Sequence, residues 1–532
     1  MGALGATVAV LGASALAAGV LRAGAPTQAA EPAPTSVEPR APIAPSGGLG
    51  RVVGSGGERE RPAPDRRLTA RLRAAIEAAV SEAARRGAGR SAMRVSVHVR
   101  ELSGNPEVAA IDADAPLRPA SNMKLVTTAA ALVLLGAEAT FDTRFESSAP
   151  IRAGVLEGDL VLRAGGDPLF DPDTDGAVAH LLAPVTAELA RLGIRRVRGS
   201  VVLDEGHFPK PGPGPGWPPA GQHWSESCAR AAGFSVNAGC LTALVEAAST
   251  GGEARVRVEP AGHGLRRRGT VLTSRPRSAL DVAVEARPPA VTVRGAIPAD
   301  VRSWSARFAH PDPVELFGAV LTGELAAAGV RVDHGFTRER GRPPERGLFV
   351  LRSPLSAALV PINRDSNNAV ADQLFLATGQ ALTGRGDRAG GARATRVALE
   401  RLGVESAGLV QVDGSGLSRD NRVTARQITA LVEAVTERGG ELARAFLDSL
   451  AVAGESGTLA RRMNDAPTRG RVRAKTGWIA GTSALSGVVE TLAEKRLVFS
   501  ILVDYPDLPG LNTHCWKPMA DELCAHLARW DG

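Results

Sequence analysis

Three short sets of residues carry the functional groups of an acyl-transfer centre: Ser121-Asn122-Met123-Lys124, Ser366-Asn367-Asn368 and Lys475-Thr476-Gly477. A serine hydroxyl needs a base before it attacks a carbonyl, and on a helix the i, i+3 spacing brings Lys124 onto the face of Ser121. The amine acts only when neutral, and burial beside a second cation, Lys475, would lower its pKa. Ser366 is suited to relay a proton to a leaving nitrogen, and Asn368 to hold a substrate amide. Lys475-Thr476-Gly477 stands ahead of an apparent strand pair, where its backbone can lie antiparallel to an extended peptide while Lys475 and Thr476 take a terminal carboxylate. The backbone N–H groups of Ser121 and Trp478 would then receive the oxyanion.

Each set recurs by chance when taken alone, and a serine three residues before a lysine is ordinarily a helix cap beside a solvated side chain. Scarcity adds weight. The chain has five lysines (Lys124, Lys210, Lys475, Lys495 and Lys517), and two of them fall in these sets. A Ser-His-Asp centre is poorly supported, because no G-x-S-x-G turn is present and the nine histidines flank no nucleophile turn. Together the three sets match the S-x-x-K, S-x-N and K-T-G motifs of penicillin-binding proteins and serine β-lactamases.

The elements that must position these groups read as mixed α/β. At 532 residues the chain exceeds a single core, and 44% hydrophobic with 22% charged residues excludes a disordered or multi-span membrane chain. Helical spacing over 68–86 precedes alternation at Val95, Val97 and Val99. Residues 121–135 form an Ala/Leu/Val-rich helix that starts at Ser121 and stops at Gly136. Short strands and a helix near 178–192 follow, then a Pro/Gly-rich loop over 208–224, alternating runs over 254–309, and a helix over 313–328. Long helices return at 367–378, 390–402, 424–436 and 441–450, and a strand pair at 483–490 and 497–503 precedes a last helix. The organisation is one α/β domain split in sequence, with about 200 residues inserted between its halves.

With these motifs in this order the chain resembles the class C low-molecular-mass penicillin-binding proteins, the D-alanyl-D-alanine carboxypeptidase/endopeptidase family, over roughly residues 67–530. The long interval from Ser121 to Ser366 is the family's mark; further matching stretches are Gly166-Asp167-Pro168, Asp413-Gly414-Ser415-Gly416-Leu417-Ser418-Arg419 and Arg473-Ala474-Lys475-Thr476-Gly477. The resemblance implies a split penicillin-binding, transpeptidase/β-lactamase-like domain (67–141 and 346–532). It also implies two inserted smaller domains, one at 142–253 and 310–345 and a nested, mostly β one at 254–309. It implies peptidoglycan stem peptides and cross-links as substrates and β-lactams as covalent inhibitors; no cofactor is expected, and no metal, since His514 beside Cys515 with His526 beyond Cys524 lacks the tight spacing of a zinc site. It further implies Asp167 as the carboxylate for a free amino group on the stem peptide's diamino acid, with Arg419 for that residue's carboxylate. Trp478 departs from the small or hydroxyl residue that commonly follows K-T-G, which leaves the shape of that subsite open.

Two other readings remain. A class A β-lactamase is about half this length and needs a glutamate and asparagine after its nucleophile, yet no E-x-x-L-N follows Ser121. A non-catalytic peptidoglycan-binding protein would more naturally have lost Ser121 or Lys124. The net charge of +7 is no mark of a nucleic-acid binder, since 63 basic residues face 56 acidic ones without interleaved aromatics. Residues 3–21 are uncharged and apolar, followed by small residues. Residues 1–30 thus read as a signal peptide or membrane anchor, and 31–66 as a flexible linker, in an exported, periplasmic or extracytoplasmic protein. In an oxidising compartment the four cysteines would pair locally as Cys228–Cys240 and Cys515–Cys524.

Overall fold

The computed structural model describes residues 64–102, 107–168, 182–206 and 208–532; the expected signal, anchor and most of the linker lie outside them. The strand carrying the second lysine, Val472–Ile479, belongs to a six-stranded antiparallel sheet. Its order is Ala451–Val452, Val472–Ile479, Thr482–Glu490, Arg496–Asp504, Arg94–Glu101, Glu107–Ile111. K-T-G lies in a strand of its own that runs directly ahead of the expected pair and adds to it as a third strand. The valine-rich strand Arg94–Glu101 pairs with Arg496–Asp504 from Arg94↔Asp504 to Glu101↔Leu497, which closes the two halves of the chain on each other.

Alternation assigns the faces of this sheet. Leu497, Phe499, Ile501 and Val503 join a core with the helix Arg66–Arg85 and the helix Lys517–Ala528. Val498, Leu502, Ala484 and Val488 enter the opposite core with the helices Met123–Leu135 and Ala425–Glu437. A strand buried on both faces contributes about 1.5–3 kcal/mol for each Val, Leu or Phe, and this layering fixes the sheet rigidly under the site. The helix Met123–Leu135 runs through the middle of the second core, with every residue from Met123 to Leu132 buried. Gly136 ends it in a positive-φ conformation.

The insertion leaves and returns through one strand pair. Thr140–Glu146 runs antiparallel to Gly347–Pro354, from Thr140↔Pro354 to Glu146↔Gly347. Gly347–Pro354 is an edge and Thr140–Glu146 its neighbour in a five-stranded sheet completed by Leu160–Arg163, Val201–Asp204 and Phe336–Glu339. A third core of Phe145, Leu162, Leu203, Phe234, Val245, Val291 and Phe317 fills this part of the chain. Two small sheets follow: Arg255–Glu259, Cys240–Glu246 and Ser303–Ala309, then Arg266–Arg268, Val271–Ser274, Asp281–Arg287 and Ala290–Pro298. The middle strand of the first, Cys240–Glu246, starts well before residue 254. Its Leu241, Ala243 and Val245 alternation is short and abuts a loop, which hid it from a reading by pattern.

The expected disulfides are corrected by geometry. Cys515 and Cys524 lie on one continuous helical run, the π turn Asn512–Trp516 and the helix Lys517–Ala528. Nine residues of helix separate their α-carbons by about 13 Å, beyond the ~7 Å a disulfide spans. Cys228 is a buried thiol with its Sγ 3.9 Å from Ser227 Oγ, and Cys240 donates to the Ala238 carbonyl at 3.7 Å, so that pair is not joined either.

One close approach seats the start of the central helix. Gly416 has φ +83°, and a β-carbon there would fall 1.8 Å from the Ala120 carbonyl oxygen. Ala120 itself adopts φ +45°, so the turn before Ser121 is held by the backbone packed against it. Gly416→Ala should lower stability by roughly 2–4 kcal/mol in a denaturant titration. Gly89→Ala, where a β-carbon meets nothing within 4 Å, should change it by less than about 0.5 kcal/mol.

Candidate active site

Ser121 sits in the 3₁₀ turn Ala120–Asn122 that leads into the helix Met123–Leu135. It is half-buried, while Lys124, one turn on, is 0% exposed. The Lys124 ammonium donates to Ser121 Oγ at 3.0 Å, to Asn368 Oδ1 at 2.6 Å and to the Ser415 carbonyl at 2.7 Å. Every acceptor in direct contact is neutral. Burial pushes the Lys124 pKa down from its ordinary value, and the more distant carboxylates of Asp372 and Asp413 oppose that shift. The turn is fixed from below as well, since Asn122 Nδ2 donates to Ser486 Oγ at 2.7 Å.

The second lysine enters from the sheet. Lys475 is also 0% exposed, and its ammonium donates to Ser366 Oγ and to the Thr476 carbonyl, both at 2.8 Å. Burial holds its pKa well below the ordinary value, the Lys124 charge adds to the depression, and Asp365 opposes it. Ser366 adopts φ +66°, a left-handed conformation that a non-glycine residue takes only where its surroundings impose it. Thr476 Oγ1 donates to Thr458 Oγ1 at 2.9 Å, which brings in a residue that no motif had indicated. A β-carbon on Gly477 would lie 2.9 Å from the Pro119 carbonyl oxygen and 3.2 Å from Ser121 N, so only glycine lets the strand pass this close to the turn of Ser121. Past Ala474, one edge of Val472–Ile479 pairs with Thr482–Glu490 and the other has no strand partner among the described residues. That leaves an edge to which an extended peptide can add.

Two buried carboxylates behind Lys124 were missed as site residues. Asp372 accepts from Ser415 N at 2.7 Å and from Ser415 Oγ at 3.2 Å, while the carbonyl of the same Ser415 accepts from Lys124. Asp413 accepts from Gly416 N at 2.8 Å, Ser418 N at 2.7 Å and Asn421 Nδ2 at 2.8 Å. Burial raises the Asp372 pKa, and the neighbouring Asp413 raises it further, against Lys124. The signal for Asp372 was present in the sequence: on the helix Asn368–Thr383 it stands one turn after Asn368, on the same face. The insertion closes on this cluster. Ser227 O accepts from Asn368 Nδ2 at 2.8 Å, Trp217 Nε1 donates to Asp413 Oδ2 at 3.3 Å, and Ser418 Oγ donates to Pro215 O at 2.7 Å.

The remaining expected residues are less uniformly placed. Asp167 does not project into the open: it is 2% exposed and accepts from Ser353 Oγ at 2.5 Å. Its turn packs against the S-x-N helix, because a β-carbon on Gly166 would lie 2.6 Å from the Phe208 ring and 3.1 Å from Gln373 Nε2. Arg419 keeps its guanidinium 3.5 Å from Asp507, with its side chain 47% exposed. Trp478 is 60% exposed at the end of the K-T-G segment.

A serine hydroxyl hydrogen-bonded to a buried lysine, a second lysine on another serine and an open strand edge agree with what comparison with known proteins finds. The family model of the D-Ala-D-Ala carboxypeptidase 3 (S13) family matches residues 76–515. The D-alanyl-D-alanine carboxypeptidase of Actinomadura sp. (strain R39) is 35% identical over 458 residues, which cover 82% of this chain and 81% of that protein. The D-alanyl-D-alanine carboxypeptidase DacB of Haemophilus influenzae is 26% identical over 413 residues, 75% of this chain and 83% of that one. The fold is shared with the crystal structure of penicillin binding protein 4 (dacB) from Haemophilus influenzae. That match has a TM-score of 0.71 at 22% identity and covers 85% of this chain and 99% of the other. The chain therefore belongs to the D-Ala-D-Ala carboxypeptidase 3 (S13) family of serine peptidases.

Proposed function

We propose that the chain is a serine D-alanyl-D-alanine carboxypeptidase/endopeptidase that cleaves peptidoglycan stem peptides and cross-links through an acyl-enzyme on Ser121. The observation that carries this is the 3.0 Å contact between Ser121 Oγ and a fully buried Lys124 whose direct partners are all neutral. Neutral Lys124 takes the hydroxyl proton as Ser121 Oγ bonds to the penultimate D-Ala carbonyl carbon. The oxyanion is received by the N–H groups of Ser121 and Trp478. The proton returns to the leaving amine through Ser366, which Lys475 holds, and water then cleaves the ester by the reverse path. Lys475 and Thr476 bind the terminal carboxylate. Asn368 Nδ2, which donates to Ser227 O in the free enzyme, turns to the substrate's amide carbonyl. Penicillin is a covalent inhibitor because it sets a strained amide and a carboxylate in the same places.

The same reading covers organisation and compartment. A split catalytic domain (67–141 and 346–532) carries an inserted domain (142–253 and 310–345) and a nested β domain (254–309). The antiparallel pairing of Thr140–Glu146 with Gly347–Pro354 supports the outer boundaries, since a segment that leaves and returns side by side can be inserted without disturbing its host. The substrate lies outside the cytoplasm, so the enzyme is exported, with residues 1–30 as its signal or anchor. Among the described residues no helix is long and apolar enough to cross a membrane. Asp167, steadied by Ser353, receives the free amino group of the stem peptide's diamino acid, and Arg419 exchanges Asp507 for that residue's carboxylate.

Labelled penicillin should form a covalent adduct on Ser121, and Ser121→Ala should abolish it; labelling of that variant on another serine would remove Ser121 from its role. Lys124→Ala should slow acylation roughly 10²- to 10⁴-fold with the fold retained by circular dichroism.

The pH dependence has a definite sign. Acylation needs neutral Lys124, so its rate rises as the lysine loses its proton, and the acid limb lies below the ordinary lysine value of 10.5 because burial depresses the pKa. Asp372→Asn removes a carboxylate that favours the ammonium, which should move the acid limb of penicillin acylation to lower pH. An unmoved limb would mean that Asp372 carries no charge in the free enzyme.

Asp167→Asn should lower kcat/KM roughly 5- to 150-fold for stem peptides with a free amino group, the ~1–3 kcal/mol of a shielded charge pair. Penicillin has no such amino group, and its acylation should stay the same. Equal loss toward both would make Asp167 a folding residue.

A further inference from the structure

The chain's excess charge is confined to one small part of it. Residues 254–309 contain eleven arginines, no lysine and four acidic residues, an excess equal to the +7 of the whole chain; the rest of the sequence is balanced. Ten of the eleven arginines are exposed. Unmatched like charge on a small β unit opposes its own folding through self-repulsion, whereas the remainder of the protein matches its charges nearly one for one.

The strand register collects part of this excess on one face. In the four-stranded sheet Arg266 pairs with Ala290 and Arg268 with Thr292, and Arg287 lies opposite Ala290 from the other side. Val291, Val293 and Ile297 of the shared strand point into the third core. Ala290, Thr292 and Arg294 alternate with them, which puts Arg266, Arg268, Arg287 and Arg294 together on the outward face, where Glu285 and Asp281 of the neighbouring strand also lie. Arg287 pairs with Glu285 at 2.6 Å, but Arg266, Arg268 and Arg294 have no ion-pair partner among the described residues. Along a strand Arg266 and Arg268 stand about 6.7 Å apart, and adjacent strands about 4.8 Å. The result is a face on which four guanidinium groups outnumber two carboxylates, with Arg266, Arg268 and Arg294 each able to take a further carboxylate with two parallel hydrogen bonds.

We infer that this face is a docking surface for the peptidoglycan polymer itself, on which the free carboxylates of many stem peptides repeat. The inference rests on the proposed substrate, whose uncleaved stems each end in a carboxylate. A face that holds one part of the polymer while the cleft works on another raises the effective concentration of stems at Ser121. The face contains no aromatic side chain on which bases could stack, which disfavours single-stranded nucleic acid. Leu272 is the one large apolar side chain that the register adds to it, too little for insertion into a bilayer.

The test is co-sedimentation of the full protein with insoluble peptidoglycan freed of attached polymers, at low and high salt. The wild type should pellet at low salt and be released at high salt, since exposed charges are screened. A variant with R266Q, R268Q, R287Q and R294Q should bind about tenfold more weakly, as expected for several exposed pairs lost together. The matching set of lysine substitutions should retain most of the binding. Penicillin acylation and cleavage of a small soluble stem peptide should be equal in all three proteins, which separates loss of docking from loss of fold. Pelleting of the glutamine variant at the wild-type level would overturn the inference, as would wild-type binding that appears only with anionic lipid vesicles or only while other anionic polymers remain attached. If the wild type pelleted in a salt-sensitive way but formed no penicillin adduct, the catalytic reading would fall and the docking face would stand.

Discussion

Two amines buried in one cleft set the terms for everything around them. Lys124 and Lys475 are both fully excluded from solvent, and each makes the other's charge less favourable. Such groups are tolerated only where rigid polar atoms surround them, because an unsatisfied buried ammonium costs several times what an ordinary hydrogen bond contributes. The acceptors that meet this demand come from distant parts of the chain. Lys124 is met by Asn368 Oδ1 and the Ser415 carbonyl, and Lys475 by Ser366 Oγ and its own strand. The six-stranded sheet, the central helix and the loop through Gly416 are what bring these atoms within 3 Å of one another. Poised in this way, the lysine next to Ser121 can give up its proton near neutrality.

The grouping of these side chains was legible in the sequence because each motif is local. Ser121 and Lys124 share one helical turn, Ser366 and Asn368 one helix start, and Lys475 to Gly477 one strand, so spacing alone conveyed their geometry. Most helices and strands were legible for the same reason, since Val95, Val97 and Val99 alternate and residues 425–437 follow a helical period. The order of strands in the sheet was not, because the pairing of Arg94–Glu101 with Arg496–Asp504 depends on contacts some 400 residues apart that leave no mark in either segment alone. The same limit hid Asp413: its Asp-Gly-Ser-Gly stretch stood out, but its role depends on Lys124, which lies close only after folding. The cysteines misled because an even count with short intervals reads as a disulfide pattern, whereas the helical run holding Cys515 and Cys524 keeps them too far apart.

The insertion is part of the site's wall, not a distant ornament. Ser227 takes the amide N–H of Asn368, Pro215 the hydroxyl of Ser418, and Trp217 caps Asp413. Gly216 accepts from the Arg419 backbone at 2.9 Å, so the Pro/Gly-rich loop lies directly along the 413–419 stretch. Proline and glycine suit that course. Proline limits the freedom the loop loses on docking, and Gly216, at φ +65° with Asp420 and Ser418 side chains where a β-carbon would be, permits contact that a larger residue would block.

The insertion therefore meets the catalytic half in two different ways. Its hydrogen bonds to Asn368, Ser418 and Asp413 come from neutral groups, two backbone carbonyls and one indole N–H. Farther along the chain, in the small β sheets, it carries essentially all of the protein's net positive charge on exposed arginines. Had those arginines stood beside the cleft they would have lowered the lysine pKa values further and, on the proposed mechanism, competed with Lys475 and Thr476 for the substrate carboxylate. At a distance of more than about 10 Å in physiological salt, exposed charges are largely screened from the buried pair. On the proposed mechanism, charge held on a separate β unit can attract a polyanion without disturbing the proton shared between Lys124 and Ser121.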